Sequence, residues 1–486
     1  MKELAVSQVS SQPASHPAVP GAIARAGRYA AYIFWLMFII NFLNYLDRWI
    51  FTGLSPIIQK DLHLSDFQIG LLSSAFLLVY TIVALPLGFL ADRIARKTIV
   101  ALGVAVWSVA TALTGLAGNF AILLTVRTFL GIGEGSYYPA GTPMLAAYYP
   151  PSRRATIIAR WSVGALIGAA AGFLLAGFFS SPSAWRYAFF FTGVPGLIFA
   201  FLVWRTREKT RHEDDPPAEH LAGEGNRSVF ARFAAYLRIP TVRVIIALHA
   251  LGFFALTGVT TYLAIFLSDT YGSNGSFYPK EGLSPGYVPI LAGAVVLIGG
   301  ILGNLVGGIW ANRLSRRHDG ARVLTGGLGF LLAAPCVIVA VGSPMALRQL
   351  SFFTSASVSA QLTIGLSIFT VFALLSAFFL NIYNGPVSAA LLDVVPASER
   401  GAAGGTELTL AHLFGDVYAA ALIGAIAVAL NQSLGGEQIG LAMLLTCPLV
   451  LVASGVVGIW GSRFYARDVA AIGGTASEML GTAAAE

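Results

Sequence analysis

The chain has 486 residues, 56% of them hydrophobic and only 11% charged, with a formal charge of +7. A soluble domain carries about 25% charged residues, so a core of ordinary shape cannot hide this much apolar surface and lipid must cover it. The only two cysteines, Cys336 and Cys447, lie in apolar runs and exclude a disulfide framework or a Cys-x-x-Cys metal pair, and the basic residues sit in short loops beside apolar runs, which argues for membrane topology and against nucleic acid.

Residues 1–28 read as a cytoplasmic tail, rich in Ser, Ala and Pro at its start and without a secretory apolar region. A spanning helix needs about 20 mostly apolar residues. Six runs qualify in the first half, at 30–54, 68–90, 98–118, 120–147, 155–179 and 187–204, and six in the second, at 243–267, 288–311, 322–342, 364–391, 402–430 and 439–462. The third and fourth are split only by Gly118-Asn119, and the fourth and fifth only by the turn from Pro150 to Arg154. The expected layout is a bundle over 29–205, a cytoplasmic linker over 206–242, a second bundle over 243–464 and a tail over 465–486.

The four clearest charges inside apolar runs are Asp47 and Arg48 in the first helix and Arg127 and Glu134 in the fourth. A charge at bilayer depth costs at least ~2.5–3.5 kcal/mol on insertion scales, so it should face a cavity and have a partner. Arg127 and Glu134 are two turns apart and share a face. Counting ~1.5 Å per residue along oppositely directed helices puts Asp47 and Arg127 at similar depth. This predicts an Asp47–Arg127 pair, with Arg48 free to meet an anionic substrate group. The competing reading is a neutral buried network that only specifies packing. A carboxyl held between desolvation, which favours its neutral form, and an arginine, which favours its charged form, can load and release a proton. Glu134 is the first candidate for that role and Asp47 the second.

After the second helix comes Gly88-Phe89-Leu90-Ala91-Asp92-Arg93-Ile94-Ala95-Arg96-Lys97. After the eighth comes Gly308-Ile309-Trp310-Ala311-Asn312-Arg313-Leu314-Ser315-Arg316-Arg317. A second echo joins Ser152-Arg153-Arg154-Ala155 to Ser398-Glu399-Arg400-Gly401, after the fourth helix of each half. Two matches at equivalent places indicate two related halves. Between them, Arg205 to Arg243 holds an acidic, Pro-rich patch, Glu213 to Pro217, and an amphipathic segment, Ser228 to Leu237, expected to lie on the membrane surface.

In the second half, His249, Phe253 and Thr257 fall on one stripe of the seventh helix, and Asn381 and Asn384 are one turn apart in the tenth. The eleventh carries Glu407, His412 and Asp416, of which the last two, four apart, are expected to bond as a structural pair. The spans place 24 of the 30 Lys and Arg residues on the side of the N-terminus and four on the other, so both termini are expected in the cytoplasm. No metal-ligand cluster, catalytic constellation or phosphate-binding Gly-loop is apparent. Gly131-x-Gly133-x-Gly135 lies within a membrane helix, where small residues permit close packing.

The loop from Gly88 to Lys97 resembles the signature loop of the major facilitator superfamily. Three further elements resemble the spinster family of lipid transporters within it: Asn44-Tyr45-Leu46-Asp47-Arg48, Arg127 with Gly131 to Tyr137, and His412-Leu413-Phe414-Gly415-Asp416. Anion:cation symporters share the Tyr-x-Asp-Arg and Gly-x-x-Glu elements. The His-Leu-x-Gly-Asp element favours spinster. The resemblance implies an all-α membrane protein of twelve helices in two pseudo-symmetric six-helix bundles, working as a secondary transporter in the inner membrane, without cofactor, metal or enzymatic activity. It implies proton coupling through Glu134 or Asp47, and substrate contacts from Arg48, Arg127, Tyr45, Tyr137, His249, Phe253, Asn381 and Asn384. It also implies gating by Asp92, with Arg93 and Arg96 beside it, against the start of helix 11. The expected substrate is an amphipathic anion such as a lysophospholipid. The alternative is a sugar or aromatic acid carried with a proton.

Overall fold

Inside hydrocarbon every backbone N–H and C=O must be bonded within the protein, which leaves an apolar run of this length the helix as its structure. The chain, seen in a computed structural model, is described over residues 20–91, 93–207, 234–273, 275, 278, 280–396, 399–434 and 438–483. Asp92, the acidic patch of the linker and most of its amphipathic segment lie outside the described residues.

The first half comprises α1 (Pro20–Asp61), α2 (Asp66–Ala91), α3 (Arg96–Thr114), α4 (Phe120–Ala146), α5 (Pro151–Phe178) and α6 (Trp185–Trp204). The second comprises α7 (Pro240–Tyr271), α8 (Tyr287–Leu314), α9 (Ala321–Leu347), a two-part α10 (Val358–Asn381 and Asn384–Asp393), a two-part α11 (Arg400–Phe414 and Asp416–Leu434) and α12 (Gln438–Ala483). Eleven of the twelve are long and apolar enough to cross a membrane. The other, α4, is 27 residues long and carries Arg127 and Glu134 in its interior. The tight joints on either side of it are real helix ends. The Asn119 side chain accepts from the Ile122 N–H at 2.9 Å and caps α4, and Pro151 opens α5 in the first turn, where a missing N–H costs nothing.

Several boundaries differ from the sequence reading. Helix α1 begins at Pro20, inside the expected tail, and α12 continues to Ala483, past the expected end at 464. The extension of α12 has a structural partner. Asp468 accepts from both the backbone N–H (2.9 Å) and the hydroxyl (2.7 Å) of Thr241, satisfying a free donor in the first turn of α7. Helices 10 and 11, expected to be continuous, are each broken. Pro386 has no N–H to give to the Ile382 carbonyl four residues back, and α10 parts at Ile382-Tyr383. At Gly415, between the two parts of α11, a Cβ would lie 2.3 Å from the Ala250 carbonyl oxygen, so only a glycine lets α11 approach α7 this closely.

The bonds that join described residues of the two halves all lie at one end of the molecule, where α1 finishes and α2 begins. The Tyr262 hydroxyl reaches the backbone carbonyl of Asp66 in the first half (2.9 Å), and also lies 2.8 Å from that of Ala420 in its own half. The Ala421 N–H donates to Ser74 at 3.2 Å, and Lys60 pairs with Asp269 at 3.7 Å. A continuous apolar core runs across this end, from Phe51 and Leu54 of α1 to Tyr262 and Phe266 of α7. A second core, around Ile33, Met37, Trp107 and Trp161, belongs to the first half alone. At the opposite end Gly404 and Gly405, near the start of α11, face open space. Over the described residues the molecule is therefore closed at one end and open at the other.

Candidate functional site

The buried charges of the first half are brought together by glycines. A Cβ at Gly131 would meet the Phe76 carbonyl of α2 at 2.8 Å, and one at Gly133 the Trp107 amide of α3 at 2.6 Å. With α2 and α3 packed this tightly on two sides of α4, its charged face is left to α1.

Arg48 Nε donates to Glu134 Oε2 at 2.5 Å. The Glu134 side chain is fully buried, and that of Arg48 is 24% exposed. The Arg48 guanidinium lies 4.7 Å from the Tyr80 ring centre, 5.4 Å from that of Tyr45 and 5.3 Å from that of Phe76. Arg127 stacks on Phe51 at 3.8 Å and reaches Phe76 at 5.2 Å. Phe76 thus stands within reach of both guanidiniums. Asp47 is buried and accepts from the Thr111 hydroxyl at 3.1 Å. The buried atoms here without a hydrogen-bond partner include Asp47 Oδ1, Glu134 Oε1 and Arg127 Nε.

The pairing differs from the expected one. Arg48 is bonded to Glu134 and not free, and Arg127 makes no ion pair with Asp47 but rests on an aromatic face. The depth count along the helices was a fair guide to proximity. It could not give the rotation of α1, which aims Arg48 at α4 and Asp47 at α3. Tyr137 is a second correction. It is 2% exposed, its hydroxyl donates to the Met37 carbonyl at 2.9 Å, and its ring meets Trp107 edge-on. It packs α4 against α1 and has no face left for a substrate. Tyr45 does stand at the site.

In the second half, His249 Nδ1 bonds Glu407 Oε1, tying α7 to α11. His412 Nδ1 bonds Asp416 Oδ2 at 2.8 Å across the α11 break, as the spacing of four predicted. Phe253 lies between the two imidazoles, stacked on His249 at 5.5 Å and on His412 at 4.9 Å. Tyr383, at the α10 break, meets His249 edge-on at 5.0 Å. The Asn384 side chain donates to Asn381 Oδ1 at 3.2 Å, and Asn381 donates in turn to the Ala377 carbonyl. The two asparagines therefore brace the break in α10. His249 Nε2 and Asp416 Oδ1 are buried without partners.

Of the expected gating residues, Asp92 lies outside the described residues, Arg93 is exposed, and Arg96 is not without a partner. Among the described residues no cluster of three His, Cys, Asp or Glu could hold a metal ion. Sequence reasoning missed the aromatic lining, Phe51, Phe76 and Tyr80, as well as Thr111 and the His249–Glu407 bond. Phe76 and Tyr80 are four apart in α2, so that stripe could have been seen.

The model of the Major Facilitator Superfamily matches residues 37–413. Protein spinster homolog 1 of Xenopus tropicalis is 25% identical over 452 residues, covering 90% of this chain and 80% of that protein. The hexuronate transporter of Bacillus subtilis (strain 168) is 26% identical over 380 residues, 78% of this chain and 84% of its own. Among solved structures, a bacterial homologue of the human lysosomal transporter Spinster, in an inward-facing, unoccupied conformation, superposes with a TM-score of 0.71 at 23% identity. It covers 91% of this chain and 97% of that one.

Proposed function

The chain belongs to the major facilitator superfamily and is a transporter of spinster type, and from that premise we propose that it carries an amphipathic anion, such as a lysophospholipid, together with a proton. The observation that carries this reading is the Arg48–Glu134 bond in an aromatic pocket beside Arg127.

The coupling follows from competition for one guanidinium. While Glu134 is ionised it occupies Arg48. A proton on Glu134 removes that charge and leaves Arg48, next to Arg127, as a receptor for a substrate anion. The proton therefore raises the affinity for the anion, and by linkage the anion raises the affinity for the proton. The two are loaded together and released together, which is symport. The rings of Tyr45, Phe76, Tyr80 and Phe51 supply an apolar wall for the part of the substrate next to its charge.

A second reading, a sugar-acid:proton symporter, draws support from the hexuronate transporter, which is as similar in sequence as the spinster protein. One measurement separates them. Purified protein is heated with a lysophosphatidylglycerol or with a hexuronate, at pH 6 and at pH 8. The first reading expects stabilisation by the lysolipid, larger at pH 6. Stabilisation by the hexuronate alone transfers the assignment to the second. Stabilisation independent of pH sinks proton linkage for either.

The open end is assigned to the cytoplasm of an inner membrane, and both termini with it, on the 24-to-4 split of basic residues. A cysteine placed at Ser10 should react with a membrane-impermeant maleimide only after the cells are broken, and one at Lys280 in intact cells. Labelling of Ser10 in intact cells reverses the orientation. At the open end Asp92 is assigned as a latch, closing against the N-terminus of α11 when the molecule faces outward.

A further inference from the structure

The two copies of the repeated loop have been put to different uses. In the first, Lys97 is tied down, its ammonium donating to the Thr206 carbonyl at 2.8 Å and the Trp204 carbonyl at 3.4 Å, and Arg96 is likewise engaged. That copy fastens the end of α6. In the second, Arg313, Arg316 and Arg317 are exposed and, among the described residues, form no ion pair or hydrogen bond through their side chains. With Trp310 and Leu314 they line a recess of about 560 Å³ at the end of α8.

The differences between the copies point one way. Where the first has Leu90 the second has Trp310, where it has Asp92 the second has Asn312, and where it has Lys97 the second has Arg317. An aromatic ring with a polar edge is gained, a negative charge is lost, and an ammonium becomes a fork-shaped guanidinium. Indole rings favour the depth of lipid headgroups and glycerol. Guanidinium groups bind phosphate oxygens in pairs. Above the recess α8 presents an apolar face: Leu302, Leu305, Val306 and Ile309 are 49%, 65%, 38% and 54% exposed. The α8 span ends at Leu314, so the recess sits where hydrocarbon gives way to headgroups.

We propose that this recess binds the headgroup of a diacyl anionic phospholipid. The phosphate lies among Arg313, Arg316 and Arg317, the glycerol region lies against Trp310, and the acyl chains follow the exposed face of α8. A lipid is favoured over free phosphate because cationic recess and apolar face are continuous. An anionic lipid is favoured over a zwitterionic one because the recess lining has three positive charges and no negative one. The proposal concerns a site apart from the transport pathway and does not depend on the substrate.

The test is retention of lipid by full-length protein in detergent, followed by native mass spectrometry, with dioleoyl phosphatidylglycerol and dioleoyl phosphatidylcholine in equal amounts. Diacyl lipids keep the measurement apart from any single-chain substrate. The wild type should retain phosphatidylglycerol at least tenfold over phosphatidylcholine. The variant with Arg313→Gln, Arg316→Gln and Arg317→Gln should lose that preference, Trp310→Ala should weaken it severalfold, and Lys280→Gln, at the opposite end, should keep it. All three arginines are exposed, so the triple variant should elute and melt like the wild type. Should it not fold, the single change Arg316→Gln is expected to cut retention severalfold. Equal retention of both lipids, or an unchanged preference in the folded arginine variant, overturns the proposal. Protection from phosphatidylglycerol binding by millimolar inorganic phosphate would show a free-phosphate site and overturns it equally.

Discussion

The two halves share one plan and handle buried charge differently. The first keeps its helices intact and pairs an arginine with a glutamate, Arg48 with Glu134, among aromatic rings. The second breaks α10 at Pro386 and α11 at Gly415, and pairs histidines with carboxylates across or beside those breaks. A guanidinium stays charged across the physiological range, so the first half holds a fixed cation whose availability to an anion is set by Glu134. The comparison suggests a division of work: a rigid half that recognises the anion, and a half with weak points along its helices that bends.

The sharpest way to break this division is Glu134→Gln. The amide keeps shape and hydrogen bonding but cannot ionise. Uptake driven by a pH gradient in proteoliposomes should fall at least tenfold, while exchange of internal for external substrate persists. Gradient-driven uptake at the wild-type rate would remove Glu134 from the coupling. In the second half, Glu407→Ala leaves His249 buried with one bond fewer, a loss of about 1–3 kcal/mol of stability. It should lower the melting temperature and leave the pH dependence of substrate binding in place. A normal melting temperature with coupling lost would give the second half the proton and reverse the comparison.

Pro386→Ala is gentler. It returns an N–H to the Ile382 carbonyl and tests whether the α10 break serves movement. The expected result is unchanged or slightly higher thermal stability, about 1 kcal/mol at most from one recovered hydrogen bond, with slower exchange. Faster exchange would deny the break a role as a hinge. The smallest effect is expected from Asp92→Asn. A carboxylate at a helix N-terminus gains ~0.3–1 kcal/mol when exposed and up to ~2 when partly buried. Losing that contact in the outward-facing state alone should shift the population a fewfold toward the state seen here. Spin labels at Ile94 and Ala402 would read this as a gain in the long-distance fraction, and superimposable distance distributions would reduce Asp92 to part of a solvated loop.

Much of the fold was legible because the bilayer imposes length and apolarity. Twelve runs, a repeated loop and four charges out of place were enough to indicate two six-helix halves and the region of the site. Rotation and bending were not legible. Nothing in the sequence tells which way α1 turns, so the reading leaves Arg48 free and gives Arg127 to Asp47, although Glu134 is singled out. The bond between His249 and Glu407 joins residues 158 apart in the chain, and neither local spacing nor hydropathy links them. Tyr137 was read from its neighbours in a motif, whereas its hydroxyl is committed to the Met37 carbonyl. Pro386 did carry a local signal for a break, one that the apolar run around it concealed.

The clasp at the closed end has a consequence for speed. Lys60 and Asp269 are about half exposed, and an ion pair of that kind is worth no more than about 1 kcal/mol. The Tyr262 hydroxyl, with one proton to give, holds the Asp66 carbonyl of the other half for about 1 kcal/mol net. Every turnover must take these bonds apart and make them again, and each 1.36 kcal/mol added to that step would slow it tenfold. A seal made of several weak bonds opens readily, whereas one deeply buried ion pair in its place would hold the protein in a single state. Turnover should also rise as salt screens the lysine from the aspartate, a dependence that the buried Arg48–Glu134 bond cannot produce.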